Sequence, residues 1–400
     1  MLQRGWQPFR LAYVCADPGV PVFGHKGASV HVREVVRALR HAGAHVDLFA
    51  CRTGETGAEG LSAIRAYRLP NAPQELDTAA RERYARNANV ALRARLDALG
   101  PWDAVYERYS LWSYSALELA RERGIPAILE VNSPLIEEQS LHSELVDRRA
   151  ALEVARRAFS AASILVAVSR GVAEWLRGFP AARGRIHVIP DGVDPGRFPP
   201  ALADAQRPFT VGFVGSLEPW HSVRLLAEAF ASLHCRDPDA RLVVVGDGPE
   251  RGRLESDLAA HGVAGSARLV GAVAPAAVPA WLARVDVGIA PYRMTSRFYF
   301  SPRKVLEYMA AGLPVVASRT GQIAELVQDG LHGILCPPGD PAALADALYA
   351  LRGDPDLRAR LGAAGREAVL RRHSWDAAVQ EILERAGLGA VPIGRAAESA

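Results

Sequence analysis

Short apolar runs of strand length alternate with segments whose apolar residues recur at helical spacing. The series begins twice, which confines the chain to two open α/β sheets in tandem. The first series opens with Leu11-Ala12-Tyr13-Val14-Cys15-Ala16, a loop from Asp17 to Gly27, and a helix carrying Val32, Val35, Val36 and Leu39 that stops at Gly43. Strand-like runs follow at Val46–Ala50, Ala104–Tyr106, Ala127–Glu130 and Ile164–Val168, and Ile186–Pro190 closes the half. A Pro- and Ala-rich stretch from Phe198 to Pro208 reads as a linker. The second series then starts at Phe209–Val214, turns at Gly215-Ser216, and runs through Leu225, Leu226 and Phe230 to Leu242–Gly246 and on to about residue 372. The expected domains are 1–198, joined by a returning segment from about 374 to 400, and 207–373. The crevice at the carboxyl ends of such strands is the default ligand site.

In the second half, Ser301-Pro302-Arg303-Lys304 reads as a helix start, with serine as cap, proline at the first helical position, and Val305, Leu306 and Met309 following. Two cations in a first turn oppose the helix dipole by about 0.3–1 kcal/mol each, so the arrangement calls for an anion, and phosphate is the natural one. Lysine is scarce here: of 47 Lys and Arg residues only Lys26 and Lys304 are lysine, both at loop-to-helix entries. The competing explanation is an Arg303–Glu307 pair four residues apart on one helix face.

At 400 residues, 49% hydrophobic and 23% charged, the chain can bury substantial cores. A formal charge of +3, with arginines dispersed, gives no footprint for nucleic acid. Cys15, Cys51, Cys235 and Cys336 stand singly, so free thiols in a reduced, cytoplasmic setting are expected, without a structural metal. No run approaches the length of a membrane span, and the arginines at 148, 149, 156 and 157 with Leu152, Val154 and Phe159 allow at most peripheral membrane contact.

From Phe300 to Ser318 the chain reads FSPRKVLEYMAAGLPVVAS. This resembles the GT-B glycosyltransferases of glycosyltransferase family 4, in the subset with an SPxKxxEYMAxGxPVVA pattern. FGHKGASVHVREVVRALRHAG, VSRGV, VIPDGVD, FVGSLEPWH, VVVGDGPE and DVGIAPY extend the resemblance over nearly the whole chain. It implies two Rossmann-like domains flanking a cleft, with a C-terminal helix returning to the first. It also implies transfer of a sugar, with retention of configuration, from a UDP- or GDP-linked donor on the second domain to an acceptor on the first. By position Glu307 would accept hydrogen bonds from the ribose. Lys304 and the helix start, with Arg303 beside them, would hold the diphosphate and stabilise its growing charge. No cofactor or catalytic metal is implied, and Asp237-Pro238-Asp239 only mimics a metal-binding DxD.

The sequence departs from the family where Tyr299 replaces a second glutamate, leaving backbone groups of Phe300 and Ser301 and the Tyr299 hydroxyl to meet the donor sugar. Ser216 and His221 stand where an arginine and a lysine usually face the phosphates; the Ser216 hydroxyl, Gly215 N–H groups and His221, as neutral donor or as imidazolium, are the substitutes, with a surface histidine as the plainer reading. Gly246 and Asp247 would line the nucleotide pocket, and Pro291 and Tyr292 would wall the base. On the first domain Gly24, His25, Lys26 and Gly27 would face the phosphates and acceptor, with solvation of Lys26 as the plainer reading. Asn132, near a position where relatives often carry histidine, joins Lys304 and Arg303 among the catalytic candidates. Glu107, Arg108 and Glu130 are acceptor-side candidates, with either glutamate conceivable as a base, or Glu107 and Arg108 as an internal salt bridge. His31 fits either a ligand-facing or a core position.

Small-molecule, lipid-linked and glycan acceptors all suit this pattern, and a homodimer is allowed. A sugar-nucleotide epimerase or a silent nucleotide-sugar-binding subunit would share the architecture. A nicotinamide oxidoreductase would need a third glycine that Gly246-Asp247-Gly248-Pro249-Glu250 lacks.

Overall fold

The structure, a computed structural model, describes residues 8–24, 26–54, 61, 64–142, 145–200, 206–293 and 301–389. They fall into two compact units, one reaching Asp191 and resuming at Trp375, the other running from Gly192 to Ser374.

The first unit is built on β1 (Phe9–Cys15), β2 (Ala44–Ala50), β3 (Arg65–Arg68), β4 (Ala104–Arg108), β5 (Ala127–Val131), β6 (Ile164–Ala167) and β7 (Ile186–Val188). All pair in parallel, in the order β3-β2-β1-β4-β5-β6-β7. Strand order reverses between β1 and β4, the position where open α/β sheets bind ligands. Leu11, Tyr13 and Tyr106 pack with Val32, Val35, Val36 and Leu39 of the Gly27–His41 helix. Trp375, Val379, Ile382 and Leu383 of the Trp375–Arg385 helix join the same core, so the C-terminal helix does return to the first unit. The edge strand β3, RAYR, is largely exposed and carries no apolar run, which is why the sequence reading passes over it.

The second unit holds β8 (Thr210–Val214), β9 (Arg241–Val245), β10 (Ala267–Gly271), β11 (Val287–Ala290), β12 (Val315–Ser318) and β13 (Gly333–Cys336). Their order is β10-β9-β8-β11-β12-β13, again all parallel, with its reversal between β8 and β11. Val211 and Phe213 face one core while Val214 faces another, and both sides of the sheet are covered. Burial on two faces explains the continuous apolar runs that mark these strands.

The division precedes the expected boundary at 198. Val193 N–H donates to the His373 carbonyl at 2.9 Å, Phe198 is buried in the second unit's core, and Arg366 donates to the Phe198 carbonyl at 2.6 Å. These contacts tie 192–198 to the second unit, so the Pro- and Ala-rich composition that follows places the boundary too late.

Candidate functional site

In the second unit, Gly215 and Gly246 follow β8 and β9 side by side, both at φ 142°. A Cβ on Gly246 would lie 1.9 Å from the Gly215 carbonyl oxygen, so only glycine permits this approach. A Cβ on Gly215 would meet Lys304 Cε and Nζ at 3.0 Å, which places the lysine directly against this turn.

Lys304 enters from the Arg303–Ala310 helix. That helix is fixed by Tyr308, whose hydroxyl accepts from Val214 N–H at 2.8 Å and donates to the Ile289 carbonyl at 3.2 Å. The absence of a side chain on Gly288 makes room for the ring. Ser301 does not cap the helix as expected. Pro302, at ψ 72°, is the cap residue without a side-chain bond, and the Ser301 hydroxyl is buried with no partner among the described residues. Lys304 is 7% exposed, and its ammonium also lacks a hydrogen-bond partner among the described residues. Nζ lies 4.0 Å from the Phe213 ring centroid and 5.6 Å from that of Tyr292. Burial pushes its pKa down to about 7, against a smaller upward pull from Glu307. Cation–π contact offsets only part of the cost of burying an unpaired ammonium.

Arg303 does reach Glu307, at 3.7 Å, so the plain ion pair exists, but it leaves Lys304 out. Burial raises the Glu307 pKa, with Arg303, Arg197 and Lys304 pulling it back. Arg197, on the turn Pro195–Arg197, is a neighbour the sequence reading missed, because only the fold of residues 192–198 onto this unit brings it there.

His221 is buried rather than a surface residue, and its Nδ1 contacts the Ser216 carbonyl. Burial and then Lys304 push its pKa down to about 3, so the ring is neutral, and Nδ1–H is spent on that carbonyl. Asp247 Oδ1 accepts from Gly248 N–H at 2.8 Å, and Oδ2 lies 3.5 Å from Arg251. Pro291 and Tyr292 are buried, Tyr292 at 1% exposure, and the Tyr292 ring flanks Lys304 and His221. Tyr299 and Phe300 lie outside the described residues.

In the first unit the carboxyl end of β5 meets the Gly27–His41 helix. His31 Nε2 lies 2.9 Å from Glu130 Oε1, Nδ1 lies 3.4 Å from Asp191 Oδ1, and Asn132 Nδ2 is 3.5 Å from Nε2. Trp375 packs edge-on against the ring at 5.0 Å. Burial disfavours the imidazolium, yet Glu130 and then Asp191 outweigh it and carry the pKa to about 9. His31 is thus a core group holding two carboxylates, and Glu130 is engaged as its partner. Asp191 stood only as part of a turn motif in the sequence.

Glu107 is fully buried, and burial pushes its carboxyl up to about 7. No ion pair joins it to Arg108 among the described residues, because adjacent strand residues point to opposite faces. Gly24 serves a turn against Pro21, where a Cβ would sit 2.8 Å from the proline ring. Lys26 is exposed and reaches the Gly19 carbonyl at 3.4 Å, while Gly27 opens the helix. His25 lies outside the described residues. The basic stretch does not form one face: Val154 and Phe159 are core residues, and Arg156 and Arg157 pair with Glu153 and Glu118. Asp237 pairs with Arg352 at 2.9 Å. Among the described residues no helix is long and apolar enough to cross a membrane.

Residues 25–197 match a family model described as Glycosyltransferase Family 4, and residues 208–354 one described as Glycosyl transferases group 1. A D-inositol 3-phosphate glycosyltransferase of Xylanimonas cellulosilytica is 31% identical over 397 residues, covering 90% of each chain. The sucrose-phosphate synthase of Thermosynechococcus elongatus superposes with a TM-score of 0.72 at 22% identity, over 94% of this chain and 98% of that one. Anabaena HepE, solved in complex with UDP and glucose, superposes with a TM-score of 0.69 at 20% identity over the same shares.

Proposed function

The chain belongs to glycosyltransferase family 4 and is a glycosyltransferase of GT-B fold, and on that premise we propose that it transfers a sugar from a UDP- or GDP-sugar to an acceptor hydroxyl with retention of configuration. The observation that carries this reading is the buried ammonium of Lys304 at a helix start and against the Gly215 turn, without a hydrogen-bond partner among the described residues. An anion supplied by the substrate completes that corner, and a nucleoside diphosphate matches it in charge and in its need for N–H donors.

The donor lies on the second unit, with its diphosphate at Lys304 and Gly215 and its ribose hydroxyls at Glu307. As the bond from the anomeric carbon to the phosphate oxygen breaks, negative charge grows on the diphosphate, and Lys304 stabilises it more than it stabilises the bound donor. The acceptor oxygen bonds to the same face of the anomeric carbon, and its proton passes to the departing phosphate oxygen. The relative from Xylanimonas, named for an inositol phosphate, supports a polyol acceptor.

A thermal-shift panel of UDP, GDP, ADP and dTDP, followed by turnover with the matching sugar donors, tests the proposal. Preferential stabilisation by UDP or GDP, and loss of both stabilisation and turnover in Lys304→Ala, are expected. Equal indifference to all four nucleotides would refute it.

A further inference from the structure

The Arg303–Ala310 helix carries Lys304 in its first turn and Glu307 one turn on, yet its far end is held by a residue from elsewhere in the chain. The last four carbonyls of a helix have no partner within it. Here the amides of Ala311, Leu313 and Gly312 take the carbonyls of Glu307, Tyr308 and Met309. The fourth, on Ala310, has Pro314 four residues on, and proline has no N–H to give. Arg366 fills that gap, its Nη1 donating to the Ala310 carbonyl. A cation at a helix carboxyl end also complements the dipole.

Arg366 lies on the Pro355–Arg372 helix, which is shaped to deliver it. Gly362, Gly365 and Arg366 share one face, at i, i+3 and i+4 spacing. A Cβ on Gly362 would lie 1.9 Å from the Gly312 carbonyl oxygen, and one on Gly365 would lie 3.4 Å from Met309 Cγ. The bare face therefore lies flush against the end of the Lys304 helix and the turn that leaves it. The same Nη1 donates to the Phe198 carbonyl at 2.6 Å. One nitrogen thus joins the helix bearing Lys304 to the segment that follows the Pro195–Arg197 turn, whose Arg197 neighbours Glu307.

A second arginine of the same helix does similar work on a different neighbour. Arg358 Nη1 donates to the Leu351 and Arg352 carbonyls at the end of the Pro341–Gly353 helix, which bears none of the site residues. Capping a helix end is common to both arginines, and the helix that is capped sets Arg366 apart.

We propose that Arg366 is a positioning residue for donor binding: by gripping the far end of their helix together with the Phe198 segment, it seats Lys304 against the Gly215 turn and Glu307 beside Arg197. Lys304 stands about 9 Å along the axis from Ala310. A helix transmits displacement over that length as a rigid body, so a slip at its carboxyl end moves the ammonium. The seat has no slack, since a Cβ on Gly215 would already lie 3.0 Å from Lys304 Nζ. That Lys304 and Glu307 serve a nucleoside diphosphate rests on the transferase reading; that Arg366 seats them does not.

Arg366→Met removes the donors and keeps most of the stem, R366K restores a cation with N–H donors, and R358M is the matched loss of a cap away from the site. Melting temperature reports on the fold. The titration midpoint of the Lys304 ammonium, read by NMR on lysine-labelled protein without nucleotide, reports on its seat, and calorimetry with UDP and GDP reports on the donor site. Both R366M and R358M should melt lower than wild type. Only R366M should raise the Lys304 midpoint, by at least about half a pH unit as the ammonium leaves its buried position, and weaken binding of the preferred diphosphate at least about fivefold. R366K should recover most of that affinity. If R366M does not fold, R366Q against R358Q carries the same comparison. A Lys304 midpoint that R366M leaves in place or that R358M moves equally, an affinity that R366M leaves unchanged, or a loss that R366K does not recover would overturn the proposal. A wild-type protein that ignores both nucleotides would sink the donor reading, and the Lys304 midpoint alone would then decide on Arg366.

Discussion

Replacing Lys304 by methionine should stabilise the protein without nucleotide and abolish its response to nucleoside diphosphate. The ammonium sits among Phe213 and Tyr292 with no hydrogen-bond partner among the described residues, and burial brings its pKa from 10.5 to about 7. At 1.36 kcal/mol per pH unit, the folded state holds this charge at a cost of up to about 5 kcal/mol. Relaxation and the cation–π contacts reduce the recoverable part to about 1–4 kcal/mol. Methionine fills a similar volume and places its sulfur against the same rings. The sign follows from linkage. Below about pH 7 lysine is charged both folded and unfolded, so the penalty is complete; between 7 and 10.5 the unfolded chain binds more protons, so wild-type stability rises with pH and the advantage of methionine shrinks. Thermal melts of both proteins from pH 6 to 10, with and without UDP or GDP, check this. For a domain of this size each kcal/mol is worth about 2–4 °C, so K304M should melt several degrees higher at pH 6, converge with wild type near pH 10, and show no ligand shift. A K304M protein that melts lower at pH 6, or still responds to the diphosphate, would refute the reasoning.

Three further outcomes follow from the geometry. Gly246→Ala drives a methyl group into the Gly215 carbonyl at a left-handed φ, so it should cost about 3 kcal/mol or more and weaken nucleotide binding, both read by thermal shift. His31, raised from 6.5 to about 9, contributes stability that is complete below pH 6.5 and lost as pH rises through about 9; His31→Gln should flatten that decline in melts of the protein across pH 6–10, and an unchanged slope would contradict the Glu130–His31–Asp191 account. Glu107, pushed from 4.5 to about 7, is a neutral acid when buried, so wild-type stability falls as pH rises from 4.5 to 7. Glu107→Gln should therefore stabilise at pH 8 by up to about 3 kcal/mol and little at pH 4, measured by denaturant titration.

The parts of the fold legible in the sequence were those that physics writes locally. Parallel strands covered on both faces must be apolar throughout, so β1 and β8 stand out as runs, and the helix bearing Val32, Val35, Val36 and Leu39 shows its buried stripe. β3 left no such trace, because an exposed edge strand needs no apolar run. The boundary near 198 escaped because Phe198 and Arg197 owe their positions to Arg366 and Glu307, far along the chain. At the site, the cationic helix start drew notice by opposing the dipole. The burial of Lys304, however, depends on Phe213 and Tyr292 arriving from two other strand ends, and the role of Ser301 as a cap fails on the dihedral angles of Pro302. His31 could not be assigned from its own segment, since Glu130 and Asp191 that decide its state come from β5 and from the end of the unit.

Only Lys26 and Lys304 are lysine, so protein labelled with isotopic lysine shows two side-chain resonances, and Lys26→Arg assigns them. A pH titration of the Lys304 Nζ signal, alone and with saturating UDP or GDP, measures the central electrostatic claim. The account predicts a midpoint near 7 for the protein alone and a large upward move when the diphosphate binds. A Lys304 that titrates like Lys26, or whose midpoint stays put as nucleotide saturates the protein, would contradict it.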